Sequence, residues 1–311
     1  MKKIESTNPD SLDIEWQISN HCNYSCSYCS PVLYGNTSGW PSADTALDFF
    51  NDVHNYINPN DKMISFTGGE PTLWPELFYF LENINNYEIG IVSNGSRTLR
   101  WWEKLNKLNK VTHLTISVHL EYADVDHITK VIEIMSENTG VAVLLLLSPD
   151  DPQKAINFVE TLRDRDLTCR IFLKAVAHRW DGDNTPYEYS PEVLDYVDNW
   201  FYWKKNLNAV KSKLSYDWII DGEKQPSGTG HKLVIQRKNK FKGWRCNIIK
   251  NRLHIGIDGN VYGATCSTAQ QYCIGNINTG LLRNKIPNIP IVCENDFCPC
   301  VPDIKIPKEK V

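Results

Sequence analysis

Six short apolar runs, separated by amphipathic stretches of helical period, occupy the first 180 residues, and this alternation leaves few folds open. The runs are 12–18 (LDIEWQI), 63–67 (MISFT), 88–93 (EIGIVS), 112–118 (THLTISV), 141–147 (VAVLLLL) and 169–176 (CRIFLKAV). Helices are expected between them near 42–58, 74–86, 98–109, 124–138 and 152–165. Ser42 stands as a cap before ADTALDFF, and Pro152 suits a first helical turn after two aspartates. Strands joined through helices pair in parallel, because a parallel connection needs a crossover of that length. The expectation is an α/β fold with right-handed crossovers, an open or partial (β/α)6 barrel rather than a closed eight-stranded one.

After residue 180 the rhythm changes. Residues 190–205 (SPEVLDYVDNWFYWKK) read as a sixth helix, capped by Ser190 with Pro191 in its first turn, and 206–243 mix lysines, glycines and short β patterns such as KLVIQRKNKF. The stretch 244–266 reads as a β-hairpin turning at Asp258-Gly259. Three regions follow: a barrel core over 1–180, a connecting helix and linker over 181–243, and a cysteine-rich region over 244–311. The N-terminus has no apolar run behind its lysines, and no stretch reaches the roughly 18 apolar residues of a membrane span. A cytoplasmic protein without membrane contact is expected. A net charge of −4 gives no general basic excess, so no nucleic-acid partner is expected either.

Ten cysteines are unusual for such a chain, and nine fall in two groups. A disulfide scaffold is short and secreted, so clustered cysteines here point to metal. Cys22, Cys26 and Cys29 directly follow the first strand, at the barrel end where loops carry chemistry. Three thiolates on one loop can hold three irons of a [4Fe–4S] cube and leave the fourth iron open. A zinc site normally takes four protein ligands in paired C-x2-C spacing, and no nearby histidine or fourth cysteine completes one convincingly.

This CxxxCxxC run resembles the signature of the radical SAM superfamily. There the open iron binds the amino and carboxylate groups of S-adenosylmethionine, and the aromatic residue before the last cysteine, here Tyr28, contacts adenine. Thr67-Gly68-Gly69-Glu70-Pro71, ending the second strand, is similar to the family's GGE motif. The resemblance implies that Gly68 and Gly69 let the backbone approach the methionyl part, and that the backbone and Glu70 engage its ammonium. Ser93-Asn94-Gly95 is similar to the polar tip of strand three, and Ser117 stands where many relatives contact the cofactor ribose or carboxylate. His119 and Leu120 depart from the acidic residue and glycine of many relatives with C-terminal cluster domains. Histidine suits proton transfer near neutral pH, which makes His119 a catalytic candidate; the alternative is a hydrogen-bonded structural histidine. No arginine follows strand five to clamp the cofactor carboxylate, and Lys174 either reaches inward or snorkels to the surface.

Cys246 and Cys266 bracket the hairpin, IGNI follows at 274–277, and Cys293, Cys298 and Cys300 close the group. Residues 244–301 resemble the C-terminal SPASM or twitch region of radical SAM enzymes. That implies one auxiliary [4Fe–4S] cluster on four of these five cysteines, with a structural zinc site as the alternative. Cys273 is left out, and Cys169 reads as a core thiol. Trp101-Trp102 and the aromatic run 200–203 read as helix-packing residues. Altogether the resemblance implies an enzyme that reductively cleaves S-adenosylmethionine at a [4Fe–4S] cluster, generates a 5′-deoxyadenosyl radical and abstracts hydrogen from a peptide or small molecule. It also implies an electron donor such as flavodoxin or ferredoxin. The chain starts almost at strand one, which argues against an N-terminal peptide-recognition domain. Alternatives are a nucleoside- or deazapurine-forming radical SAM synthase, and a non-catalytic zinc-binding interaction protein.

Overall fold

The computed structural model of the protein describes residues 1–8, 10–57, 61–176, 185–200, 202–205, 218–226, 228–248, 251–282, 290–298 and 300–311. All six expected strands form: β1 (Ser11–Ser19), β2 (Asp61–Gly68), β3 (Glu88–Ser93), β4 (Val111–Val118), β5 (Gly140–Leu147) and β6 (Cys169–Ala175). They pair in chain order and in parallel, as in Ile14↔Ile64, Ile91↔Leu114 and Val143↔Ile171. The five expected helices between them also form: α1 (Ala43–Ile57), α2 (Leu77–Asn83), α3 (Leu99–Leu108), α4 (Val125–Met135) and α5 (Pro152–Arg163). Asp151 caps α5 through a side-chain hydrogen bond from Lys154 N, with Pro152 in the first turn.

Alternation along β1 sets the two faces of the sheet. Leu12, Ile14, Trp16 and Ile18 are buried, while Asp13, Glu15 and Gln17 point the other way, into the lumen. Trp16 meets Phe50 of α1, Phe66 of β2, Trp74 in the turn before α2 and Phe80 of α2 at ring-centroid distances of 5.4 to 5.8 Å. Tilted and edge-on aromatic pairs of this kind each add about 0.5–1.5 kcal/mol beyond area burial, so they anchor two helices to the strands that end at the cysteines.

The sheet holds one more parallel strand than the six expected. β7 (Arg252–Ile255) lies parallel to β1 in the register Arg252↔Asp13 and His254↔Glu15. It continues into β8 (Asn260–Tyr262) through the expected turn, where Gly259 has φ +79°. Two local readings are corrected, and one pairing is new. The helix after residue 190 stops at Trp200, and Tyr202–Lys205 runs antiparallel to β6 as a further strand. Thr229–Ile235 is helical although its sequence carries β-branched residues, because Val234 and Ile235 are buried and Gly230 packs on Val301. Lys3–Ser6, unread in the sequence, pairs with Lys308–Lys310 and so joins the two ends of the chain in a second sheet. Much of the expected linker (206–217) lies outside the described residues. Among those described, no helix is long and apolar enough to cross a membrane.

Candidate active site

The tip of β2 folds back over the start of the cysteine loop. Gly69 N donates to Ser19 O (2.8 Å), and Glu70 N donates to His21 O (2.6 Å). A Cβ on Gly68 would stand 2.5 Å from Ser19 O, and one on Gly69 would stand 2.2 Å from His21 O. Gly68 also has φ +114°, which side chains rarely adopt. The demand for glycine is thus already made by the protein's own backbone, which must lie directly on the segment leading into Cys22. Gly69→Ala is therefore expected to lose about 1–3 kcal/mol, the usual size of an overpacking clash, and to lower iron uptake at the cysteine loop. Urea denaturation and an iron assay after anaerobic reconstitution check this; unchanged values in both would contradict it.

Glu70 is 1% exposed, and its carboxylate is bonded on both oxygens. Oε1 accepts from Thr72 N (3.1 Å), Thr72 Oγ1 (2.5 Å) and Ser93 Oγ (2.8 Å), and Oε2 accepts from Asn94 N (2.7 Å). Burial pushes its carboxyl above the ordinary value, and these bonds pull against that. The side chain caps the Pro71–Leu73 turn and ties the tip of β2 to that of β3. Glu70→Ala should destabilise the fold by about 2–4 kcal/mol, because several buried donors lose one shared acceptor, with Glu70→Gln intermediate. Equal stability of Glu70→Ala and the parent in urea would contradict the clamp.

The β3 tip continues the chain of contacts. Asn94 Nδ2 donates to Asn23 Oδ1 (3.0 Å) and stands 4.0 Å from Cys22 Sγ, while Asn23 Nδ2 donates to Ser96 Oγ (2.8 Å). Cys22 N donates to Asn36 Oδ1 (3.0 Å), and Cys29 N closes a turn onto Cys26 O (3.0 Å). Burial first, then the Glu121 carboxylate and the neighbouring thiols, pushes the Cys26 thiol up to about 12, and burial together with Cys22 pushes Cys29 up to about 11. Thiolates that oppose one another in this way need a shared cation, so the loop fits a metal cluster.

The loop after β4 clasps the other side. Tyr28 OH and His119 Nδ1 are 2.9 Å apart, and the two rings stack at 5.9 Å with a 14° interplanar angle. Burial, aided by the charge of Lys174, lowers His119 to about 4, so the imidazole is neutral at pH 7. Ser27 Oγ donates to Glu121 Oε1 (2.5 Å), and Tyr24 stacks on Tyr122 at 4.4 Å. Sequence reading missed Asn36, Glu121 and Tyr24; of these only Asn36 carries a local signal, an asparagine at φ +51°. Ser117 sits on the β4 face opposite the buried Ile116 and Val118. Lys174, largely buried on β6, reaches inward: its charge acts on Cys29, Cys300 and Glu15 together.

Cys246, Cys266, Cys293 and Cys298 line one cavity, with Phe241 and Lys308 in its wall. Cys300 lies apart, 3.9 Å from Arg252 Nη2 and 3.6 Å from Thr265 Oγ1. Arg252 has a side chain 3% exposed and binds three carboxylates: Asp13 (2.8 Å), Glu15 (2.5 Å) and Asp303 (2.8 Å). Asp303 in turn accepts from Thr265 N (2.9 Å), and Lys308 Nζ donates to Asp303 O (2.7 Å). One buried guanidinium thus fastens the cysteine-lined region to β1. Cys273 Sγ turns to Gly275 O (3.3 Å), and Cys169 is fully buried in the core.

The sequence model of the Radical SAM superfamily matches residues 16–173. GTP 3′,8-cyclase of Haemophilus influenzae (strain PittEE) is 29% identical over 108 residues, covering 32% of this chain and 31% of that protein. The 7-carboxy-7-deazaguanine synthase of Methanothermobacter thermautotrophicus is 30% identical over 135 residues, 42% of this chain and 47% of that protein. The chain therefore spans less than half the length of either curated relative. Among solved structures, anSMEcpe with bound AdoMet superposes with a TM-score of 0.57 at 16% identity, covering 88% of this chain and 80% of that one. The same protein with AdoMet and the Cp18Cys peptide gives 0.55, again at 16% identity over 88% of this chain and 80% of that one. At such identity the likeness shows a shared fold.

Proposed function

The chain belongs to the radical SAM superfamily of enzymes, and from that premise we propose that it cleaves S-adenosylmethionine reductively and removes hydrogen from a peptide substrate. The observation that carries this reading is the convergence of three strand tips on Cys22, Cys26 and Cys29. Cys22, Cys26 and Cys29 would hold a [4Fe–4S] cluster, which when bound would supply the electron for cofactor cleavage. Gly68, Gly69 and Glu70 fix the loop that carries the thiols, and Asn94 sets the orientation of Asn23 beside Cys22. Tyr28 and His119 form a wall of the same site, with the imidazole neutral and hydrogen-bonded. Ser93 is already bonded to Glu70, which leaves Ser117 as a freer candidate for cofactor contact.

A second [4Fe–4S] cluster is assigned to Cys246, Cys266, Cys293 and Cys298, because these four share a cavity that Cys300 does not line. Among the described residues no three His, Cys, Asp or Glu side chains close on one point as a single ion would require. A structural zinc site on the same thiols is the alternative, and metal analysis separates the two. Cys266→Ala/Cys298→Ala should lose about four irons per chain, whereas Cys300→Ala keeps them. Iron loss in Cys300→Ala equal to that of the double variant would contradict the assignment.

The fold likeness to a protein solved with a bound peptide supports the peptide class. The purine-directed relatives by sequence support a second reading, a nucleoside- or deazapurine-forming synthase. Anaerobic turnover with dithionite, comparing peptide pools with purine nucleotides, separates the two: the proposal expects 5′-deoxyadenosine to rise with peptide. A rise with nucleotide alone favours the second.

A further inference from the structure

We propose that the solvent face of α3 is the docking surface for a small acidic electron-carrying protein; this rests on the reading that Cys22, Cys26 and Cys29 hold a cluster in need of an electron. Residues 97–110 carry five cations, Arg97, Arg100, Lys104, Lys107 and Lys110, against the single carboxylate of Glu103, in a chain of net charge −4. Arg100, Lys104 and Lys107 recur at four- and three-residue intervals within α3 and so form one stripe, and Arg97 stands just before its cap residue Thr98. No ion pair among the described residues neutralises these four. Aromatic faces support two of them: Arg97 lies 5.2 Å from the Trp101 ring centre and Lys104 lies 4.0 Å from that of Phe78.

Helix stability does not ask for this pattern. The first turn of α3 holds no acid and does hold Arg100, at the end where the helix dipole disfavours a cation. The stripe also begins beside the cysteines. Ser96, next to Arg97, accepts the hydrogen bond from Asn23 (2.8 Å), and Asn23 adjoins Cys22. Electron transfer weakens steeply with distance, so a carrier seated here is placed beside the cluster loop. One electron leaves the reduced carrier and enters the cluster, with nothing else exchanged. A carrier with a ring of surface carboxylates complements the stripe and is steered to it at low salt.

The test measures the affinity of a flavodoxin, followed by its flavin fluorescence, for the full-length reconstituted protein at low and physiological ionic strength. The variant Arg100→Glu/Lys104→Glu is compared with Lys154→Glu/Lys240→Glu, which reverses two exposed cations on other elements. Reversal on α3 should weaken binding by about tenfold or more and flatten its salt dependence, while the control stays within about twofold. Cofactor cleavage driven by dithionite should be unchanged in both. Equal affinity of the α3 variant and the parent, or no measurable binding to the parent, overturns the docking surface. A parent protein that binds flavodoxin through α3 but takes up no iron instead overturns the radical reading and leaves the surface standing.

Discussion

Replacing Cys22, Cys26 and Cys29 together with alanine should reduce 5′-deoxyadenosine formation from S-adenosylmethionine and dithionite to the uncatalysed background. About four irons per chain should remain after reconstitution, held by the second group of cysteines. The effect is complete because each thiol sits on one short loop, fixed from three sides by Gly69, Asn94 and the Tyr28–His119 contact. Circular dichroism should be unchanged, since the core beneath the loop is built from Trp16, Phe50, Phe66 and Phe80 rather than from the thiols. Product formation by the triple variant at the parent rate would remove the loop from the chemistry.

Arg252→Met should be the most damaging single substitution outside the cysteines, at about 3–5 kcal/mol, because it leaves buried carboxylates without their cation. Burial alone would raise the Glu15 carboxyl; the Arg252 guanidinium and the nearby His254 bring it down to about 2. A carboxyl lowered on folding contributes stability above its ordinary range and loses it as pH falls toward 2. Without the guanidinium, burial dominates and Glu15 is raised on folding, as burial already raises Asp13. Its contribution is then present below the ordinary carboxylate range and lost as pH rises. The deficit of Arg252→Met should therefore widen from about pH 4 to pH 7 in urea titrations. A deficit constant over that range would assign the loss to packing rather than charge.

The barrel was legible because its rules are local. Each strand is a run of apolar or alternating residues, each helix is short and amphipathic, and parallel pairing follows from their order. Motif positions were legible for the same reason, since each lies at the end of a strand already placed. What escaped was non-local. Pairing of β7 with β1 joins residues 239 positions apart, and nothing in RLHI says that it enters the barrel. Arg252 therefore carried no signal in the sequence, although it holds three carboxylates drawn from β1 and the chain's end. The glycines and Glu70 were found, but their partners were not: the demand on them comes from the backbone of Ser19 to His21 and from the tip of β3. Division of the five late cysteines into four around a cavity and one apart is likewise a fact of packing that spacing cannot carry.

Electron paramagnetic resonance reads out whether an iron–sulfur cluster on Cys22, Cys26 and Cys29 binds S-adenosylmethionine. The anaerobically reconstituted protein, with about eight irons per chain, is reduced with dithionite and measured with and without the cofactor. The parent should give a reduced-cluster signal whose shape changes on cofactor addition, and the triple cysteine variant should show no such change. A colourless zinc protein, or a signal that the cofactor leaves untouched, would contradict this cluster assignment.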